Sequence, residues 1–153
     1  MGVPKSVTKI TKDGISFKSS VDRTKYLLKE LERAALRDTG KLIRKRIIAK
    51  LRKMPDLKKG KRPYTSTQFW VRKIETDLQI GVKHGTWYGL DQELGTKNQP
   101  KKAVLRTTVM ENIDDIRRVQ GQYLSAIADE NRALGLIDDS GTPIYSDEDG
   151  EDS

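Results

Sequence analysis

A long stretch of helical periodicity between Ser20 and about Lys53 constrains this fold more than any other sequence feature. Apolar residues recur at spacings of three, four or seven positions, as expected for a helix with one buried face. They are Leu28, Leu31, Ala35, Leu42, Ile43, Ile47, Leu51 and Met54. Ser20 or Asp22 can cap the start, and Pro55 ends the helix because proline cannot continue its hydrogen bonds. The predicted helix is about 48 Å long, so the remaining elements must pack along it.

A short hairpin or a single strand is predicted before this helix, and a β-hairpin is predicted after it. Residues 10–17 alternate around Asp13-Gly14, a two-residue turn of the type that hairpins favour. Residues 69–75 and 78–84 form the second pair of strands, joined at Thr76-Asp77. Its apolar side chains are expected on one side of the sheet, and they are Trp70, Ile74, Leu78, Ile80 and Val82. Residues 57–68, before this hairpin, read as a basic, polar loop.

A second helix is predicted from Val104 to about Asn131, with Gly135 marking its end. Its apolar stripe consists of Leu105, Val109, Ile113, Ile116, Val119, Tyr123 and Ile127. Within the first helix, Gly40 costs about 1 kcal/mol relative to alanine, which indicates a kink or a close helix contact.

The order of elements predicts an α+β fold, with a long N-terminal amphipathic helix and a C-terminal helix packed on a small antiparallel β-sheet. Residues 1–137 form this single domain, and residues 138–153 form an acidic, flexible tail.

The residue inventory gives little support to catalysis or to metal and cofactor binding. There is no cysteine, which excludes disulfides and thiolate chemistry, and His84 is the only histidine. None of the common catalytic, phosphate-binding or dinucleotide-binding motifs is present. Apolar residues make up 35% of the chain and charged residues 34%, a composition that suits a domain gaining burial by assembly. We therefore expect a non-enzymatic protein without a cofactor or a metal.

No segment reads as a membrane anchor or as a signal peptide. The apolar runs are only a few residues long, whereas a membrane span needs about 20. Residues 1–11 contain lysines but no apolar core. We expect the chain to stay in the cytoplasm, without membrane contact, until it is used.

Charge is distributed unevenly along the chain. Seven of the 22 acids lie in residues 138–153, which contain no Lys or Arg. Residues 1–137 contain the other 15 acids and all 30 bases, so their net charge is +15, whereas that of the whole chain is +8. A basic body with an acidic tail indicates contact with a polyanion, self-screening or head-to-tail assembly.

The bases concentrate in residues 41–62, where Asp56 is the only acid. The eleven are Lys41, Arg44, Lys45, Arg46, Lys50, Arg52, Lys53, Lys58, Lys59, Lys61 and Arg62. On a helix, Lys41, Arg44 and Arg52 fall near one face, with Lys45 and Lys53 adjacent. This cluster is either a contact for a polyanion or an acidic protein, or an ordinary solvated helix face. The first interpretation gives an alternative function, a nucleic-acid-binding module, in which Tyr64 and Trp70 could stack on bases unless Trp70 belongs to the core.

The segment between Trp87 and Arg106 has a distinctive order, WYGLDQELGTKNQPKKAVLR. Gly95 can adopt positive φ, and Pro100 favours an extended conformation for the residue before it. These features predict a shaped turn with Glu93 beside it. Glu93 is expected to accept hydrogen bonds from backbone donors of residues 95–100.

Tyr88 to Thr96, YGLDQELGT, resembles the aromatic-x-x-x-x-Glu-x-Gly-Thr signature of the tail-completion, or head–tail joining, proteins of long-tailed bacteriophages. In that family a proline-containing loop and a Phe-Leu-Arg helix start follow. Leu105 and Arg106 match, whereas Val104 replaces the usual Phe and Ala103 the usual Pro. Residues 55–60 also depart from the Asp-Thr-Gly-x-Leu turn that the family tends to carry after its first helix. The resemblance suggests interaction roles for Trp87, Tyr88, Glu93, Gly95, Thr96 and Arg106. It implies that Glu93 lies near subunit contacts, either instead of bonding to the turn or in addition to it.

The resemblance implies a virion structural protein whose copies form a ring, expected to be a hexamer, at the neck between tail and head. Its partners would be itself, tail-tube and head-connector proteins, and packaged DNA as a further contact. The loops at 57–68 and 97–102 would reach neighbouring subunits, and the acidic tail would lie on the basic surface of an adjacent subunit or connector. The protein would reside in the host cytoplasm before assembly and in the virion afterwards.

Overall fold

A computed structural model describes residues 2–10, 14, 16–54, 66–72, 74, 76–83, 87–98 and 100–140. It confirms the predicted α+β class, with a long N-terminal helix, further helices and little sheet. The elements are β1 (Val7–Ile10), β2 (Ser16–Ser19), α1 (Val21–Arg52), β3 (Thr67–Val71), β4 (Leu78–Val82), α2 (Trp87–Leu94), α3 (Val104–Glu111), α4 (Ile113–Ser125) and α5 (Glu130–Ser140). The pairs β1–β2 and β3–β4 are antiparallel hairpins. In the first hairpin Gly14 has a φ of 76°, and its predicted turn partner Asp13 lies outside the described residues.

The 32-residue helix α1 is the spine of the fold, and it buries different faces along its length. Near its start, Leu31 and Ala34 pack with Tyr123 of α4 and Ala133 of α5. Near its end, Ile43, Ile47 and Leu51 pack with Val104 of α3. The twelve residues from Leu31 to Ile43 turn about 120° around a helix, so the two clusters face different directions. The prediction of one continuous stripe missed this rotation, and Leu28 is 41% exposed.

Gly40 marks a close contact between α1 and a strand rather than a helix. A Cβ atom at Gly40 would lie 2.8 Å from both Cγ and Cε2 of the Phe69 ring. Phe69 pairs with Ile80 in the β3–β4 hairpin, and Ile80 packs against the cluster that contains Ile43 and Ile47. The missing side chain at Gly40 therefore lets the hairpin lie directly on the helix.

The prediction that Trp70 and Ile74 share a face with Leu78, Ile80 and Val82 is wrong. Trp70 pairs with Gln79, one position away from the Phe69–Ile80 pair, and alternate residues of a strand point to opposite faces. Trp70 is consequently 37% exposed, outside the core. Ile74 lies beyond the end of β3, in the connection between the strands, and is 93% exposed.

The predicted helix over residues 104–131 is divided into shorter pieces. It breaks at Asn112, which has a φ of −113°, and α4 ends in a 3₁₀ turn over Ala126–Ala128. The Asp129 carboxylate then accepts a hydrogen bond from the Asn131 amide at 3.0 Å and starts α5. Gly135 lies inside α5 and does not end it, so that prediction is also wrong.

Helix α5 extends the ordered architecture into the predicted acidic tail. An ion pair between Arg23 and Glu130 joins the first turns of α1 and α5. Ala133 is buried, and Leu136 and Ile137 pack against the first cluster of α1. Because α5 continues to Ser140, its last three residues belong to the segment predicted as tail. Residues 141–153 lie outside the described residues.

We expect Gly40→Ala to destabilise the protein even though alanine is the better helix former. The helix gains up to about 1 kcal/mol from the substitution. Overpacking against Phe69 costs about 1–3 kcal/mol, which should outweigh that gain. Urea denaturation gives the free energy of unfolding directly.

Gly121→Ala is the matched control, because no atom lies within 4 Å of a Cβ atom built at Gly121 in α4. It should raise the free energy of unfolding. Equal stabilisation by the two substitutions would show that Phe69 does not rest on Gly40.

Candidate functional site

The signature segment begins as a helix rather than as the predicted turn. Residues Trp87–Leu94 form α2, and the Gly95 amide donates to the Asp91 carbonyl at 2.8 Å. Gly95 has a φ of 78°, so the predicted positive φ is confirmed. Its role is that of a glycine following a helix C-terminus, where a left-handed residue ends the helix. The sequence pattern located the glycine but not the helix that it terminates.

The loop after Gly95 folds back against the end of α2. The Lys102 amide donates to the Gln92 carbonyl at 2.9 Å. A Cβ atom at Gly95 would lie 2.9 Å from the Lys101 backbone nitrogen, closer than a side chain permits. Gly95 is therefore required both for its positive φ and for this close approach of the backbone.

Glu93 joins the end of α2 to the start of α3. Its Oε2 accepts from the Leu105 amide at 2.9 Å and its Oε1 from the Arg106 amide at 3.0 Å. The prediction that Glu93 bonds to amides of residues 95–100 is therefore wrong. The first amides of a helix have no partners within it, and Ala103 at the N-cap position has no oxygen in its side chain. Glu93 supplies both acceptors, and its negative charge also favours the positive end of the helix dipole. We call residues 93–106 the α2–α3 corner.

Ala103 adopts an unusual backbone conformation in this corner. Its φ of 45° and ψ of 44° are left-handed, which costs an L-residue about 1–2 kcal/mol. Its carbonyl accepts from the Thr107 amide at 2.9 Å and from the Thr107 hydroxyl at 2.8 Å. Proline, the usual residue at this position in the resembled family, cannot adopt positive φ. The chain therefore departs from the family pattern here in its backbone as well as in residue type.

Of the other residues given interaction roles, Thr96 and Arg106 lie in the corner, whereas Trp87 and Tyr88 lie at the other end of α2. Thr96 and Arg106 are exposed, and Arg106 is joined to Glu93 through its backbone amide rather than through its guanidinium. Trp87 and Tyr88 lie in the first turn of α2, but their side chains are outside the described part of the chain. The structure thus brings together Glu93, Gly95 and the start of α3.

The described part of the basic cluster is spread around α1, and much of it binds to the chain itself. Arg44 donates to the Thr67 carbonyl at 2.7 Å, and Lys41 lies 3.5 Å from the Asp38 carboxylate. Ion pairs also join Arg46 to Asp115 at 3.4 Å and Lys50 to Glu111 at 2.9 Å. The exposed members are Lys45, Arg46, Arg52 and Lys53. Lys58, Lys59, Lys61 and Arg62, and the neighbouring Tyr64, lie outside the described residues. These contacts hold β3, α3 and α4 against α1.

An apolar groove between α1 and α4 was not predicted from the sequence. It encloses about 410 Å³ and is lined by Leu28, Leu31, Glu32, Ala35, Leu36, Gln120, Tyr123, Leu124 and Ile127. Leu124 is 66% exposed and Ile127 51% exposed on its wall. One feature of the sequence could have indicated it: α1 and α4 carry more apolar residues at helical spacing than a single buried stripe requires. We call this surface the apolar groove.

The apolar groove adjoins a larger cavity nearer the α2–α3 corner. Leu36 and Gln120 line both spaces. The second cavity holds about 630 Å³ and is bordered by β4, by α3 and by Glu93 and Arg106 of the corner. A nearly continuous apolar surface thus runs along one side of α1.

Within the described ranges, no three potential metal-ligating side chains come together, and no helix is long and apolar enough to cross a membrane. The lone histidine, His84, is not among the described residues. No protein-family model matches the chain, and no curated protein or solved structure is significantly similar to it.

We expect Glu93→Ala to lower the free energy of unfolding by about 1–2 kcal/mol, because it leaves two amides at the start of α3 without acceptors. Glu93→Gln should cost less, since the amide oxygen still accepts one of the two bonds. Urea denaturation of both variants measures the difference.

Glu111→Gln serves as the control, because it removes a surface ion pair with Lys50 whose carboxylate is 62% exposed. Such a pair contributes about 0–1 kcal/mol. If Glu93→Ala proved no more harmful than this control, Glu93 would not be closing the helix.

Proposed function

We propose that this protein is a non-enzymatic structural protein of a long-tailed bacteriophage. It serves in tail completion or head–tail joining, as a ring of copies at the neck between the tail and the head. It binds itself, tail-tube proteins and head-connector proteins, and it acts through geometry rather than through chemistry.

The observation that carries this proposal is the contact between two separate parts of the signature. Glu93 belongs to the aromatic-x-x-x-x-Glu-x-Gly-Thr part, while Leu105 and Arg106 belong to the helix start that follows the loop. The two oxygens of Glu93 bind the amides of those two residues at 2.9 and 3.0 Å. The spacing of the signature thus has a physical reason. Glu93 lies twelve positions before Leu105 and thirteen before Arg106, and it supplies the acceptors for both amides at the start of α3. This use supports the resemblance, although Ala103 departs from it.

Assembly also accounts for the exposed apolar surface of this chain. A chain that is only 35% hydrophobic still leaves Leu124 at 66% exposure and Met110 at 58%. Contiguous exposed apolar patches generally mark an interaction surface. Contact between two different surfaces of identical subunits produces a ring when the rotation closes. A ring would therefore bury surface that the single chain leaves in water.

The alternative of a nucleic-acid-binding module receives less support. Arg44, Arg46 and Lys50 contact acceptors within the chain, so they are partly committed to holding the fold. We expect weak, salt-sensitive DNA binding at most, consistent with a subsidiary contact with packaged DNA.

We expect the purified protein to form larger particles at high concentration, or on mixing with tail-tube or connector proteins of the same genome. Light scattering and sedimentation measure the particle mass, and electron microscopy should show rings. A DNA titration across a salt series runs in parallel. A chain that stays monomeric with all of these proteins, and that binds DNA tightly, would favour the alternative.

A further inference from the structure

The β3–β4 hairpin presents two large apolar side chains to water. Ile74, in the connection between the strands, is 93% exposed, and Trp70 on the outward face of β3 is 37% exposed. Connections between strands favour glycine, asparagine, aspartate and serine, so turn chemistry does not explain an isoleucine there. Tryptophan is enriched among the residues that anchor protein interfaces. We call Trp70 and Ile74 the hairpin knob.

The connection that carries Ile74 is fixed at its base. The Arg72 amide donates to the Asp77 carbonyl at 3.0 Å, and the Arg72 guanidinium lies 3.9 Å from the Asp77 carboxylate. A surface that already has its bound shape loses little conformational entropy when a partner covers it. The hairpin knob is therefore suited to enter a preformed site on another molecule.

The cavity beside the α2–α3 corner is such a site. Its volume of about 630 Å³ lies in the range of about 300–1,000 Å³ that is typical of ligand pockets. Ile43, Leu105, Val109 and Ile116 contribute apolar walls. Met110 also lines the cavity and is 58% exposed, so the apolar surface continues to the border. We call this space the corner cavity.

The hairpin knob does not fill the corner cavity of its own chain. Leu78 and Ile80 line that cavity from β4. Trp70 pairs with Gln79, the residue between them, so its side chain points to the opposite face of the hairpin. Ile74 is 93% exposed, so it does not enter the cavity either. A knob and a cavity that do not meet within one chain are free to meet between two copies.

The local charge also favours contact between these two surfaces. Residues 1–137 carry a net charge of +15, which opposes contact between copies over most of the surface. Residues 72–77 contain two bases and two acids, so the end of the hairpin is neutral. Among the described residues that line the corner cavity, the charged ones are one acid, Glu93, and one base, Arg106. Two neutral, partly apolar surfaces meet without the repulsion that acts between basic ones.

We propose that the hairpin knob of one copy of this chain binds in the corner cavity of a second copy. Ile74 enters the cavity, and Trp70 lies against its border at Met110. This inference rests on the proposed function, for which it names the contact between neighbouring subunits. The knob and the cavity are different surfaces, so the contact is heterologous and produces a ring when the rotation closes.

Substitutions on the two surfaces test the contact by their effect on assembly. Ile74→Asp places a carboxylate on the knob, and Met110→Glu places one at the cavity. Both positions are exposed, so the free energy of unfolding should stay close to that of the wild type. Each substitution should raise the dissociation constant of the assembly about tenfold or more, because burying an unpaired charge is unfavourable. Sedimentation across a concentration series measures this constant.

Val7→Asp and Leu124→Glu are the matched controls. Val7 is 51% exposed on β1, and Leu124 is 66% exposed in the apolar groove, which is a different surface. Neither control should change the dissociation constant. Equal effects of the test and control substitutions would overturn the proposal, as would assembly that neither Ile74→Asp nor Met110→Glu weakens.

A disulfide cross-link tests whether the knob meets the cavity of another copy. The chain has no cysteine, so introduced cysteines react without interference. One variant carries Ile74→Cys and the other Met110→Cys, so a bond between positions 74 and 110 in an oxidised mixture joins two copies. Mass spectrometry should find this bond forming about tenfold or more faster than the bond between positions 7 and 110 in a mixture of Val7→Cys with Met110→Cys, because a disulfide needs Cα atoms within about 7 Å. Equal rates in the two mixtures would contradict the proposal.

The same measurements separate this inference from the proposed function. If the wild type binds tail-tube or connector proteins and forms rings that neither Ile74→Asp nor Met110→Glu weakens, only the inference fails. If the bond between positions 74 and 110 forms between copies but the chain binds neither kind of protein, the inference stands and the proposed function fails.

Discussion

Packing along α1 is the constraint on which the rest of this structure depends. The elements β3, β4, α3, α4 and α5 pack directly on this helix, but not all on the same face of it. Tyr123 and Ala133 meet its first half, while Val104 and Ile80 meet its second half. Polar contacts reinforce the arrangement, since Tyr123 donates to the Asp38 carboxylate and Lys50 binds Glu111. A chain with limited apolar content can thereby order several short elements, because each needs to bury only a few side chains.

The α2–α3 corner decides how the second half of the chain meets this spine. Val104 is buried in the second cluster of α1, so the start of α3 has to be placed accurately. Ala103 cannot cap that start with its side chain, and its left-handed backbone costs free energy. The two bonds from Glu93 and the close approach of the loop at Gly95 offset that cost. A motif that first suggested an interaction site is therefore an architectural element, which positions the start of α3 on α1.

The predictions that succeeded rest on local chemistry. The periodicity of α1, the two hairpins and the positive φ of Gly95 follow from short stretches of sequence. The wrong or missed features depend on residues distant in the chain. Glu93 binds the free amides at the start of α3 because the intervening loop brings α3 back to the end of α2. Trp70 faces outward because Phe69, its neighbour in the strand, packs against Gly40. The apolar groove lies between α1 and α4, so it depends on how two helices that are distant in the chain pack against each other.

Amide hydrogen exchange in the wild-type protein tests whether Glu93 closes the start of α3. The Leu105 and Arg106 amides should exchange more slowly than those of Asp22 and Arg23, which hold the equivalent positions in α1, where Ser20 makes no side-chain cap. Exchange of Leu105 and Arg106 as fast as that of Asp22 and Arg23 would contradict it. The corner would then not be held by Glu93, and the physical reason given for the signature's spacing would be lost.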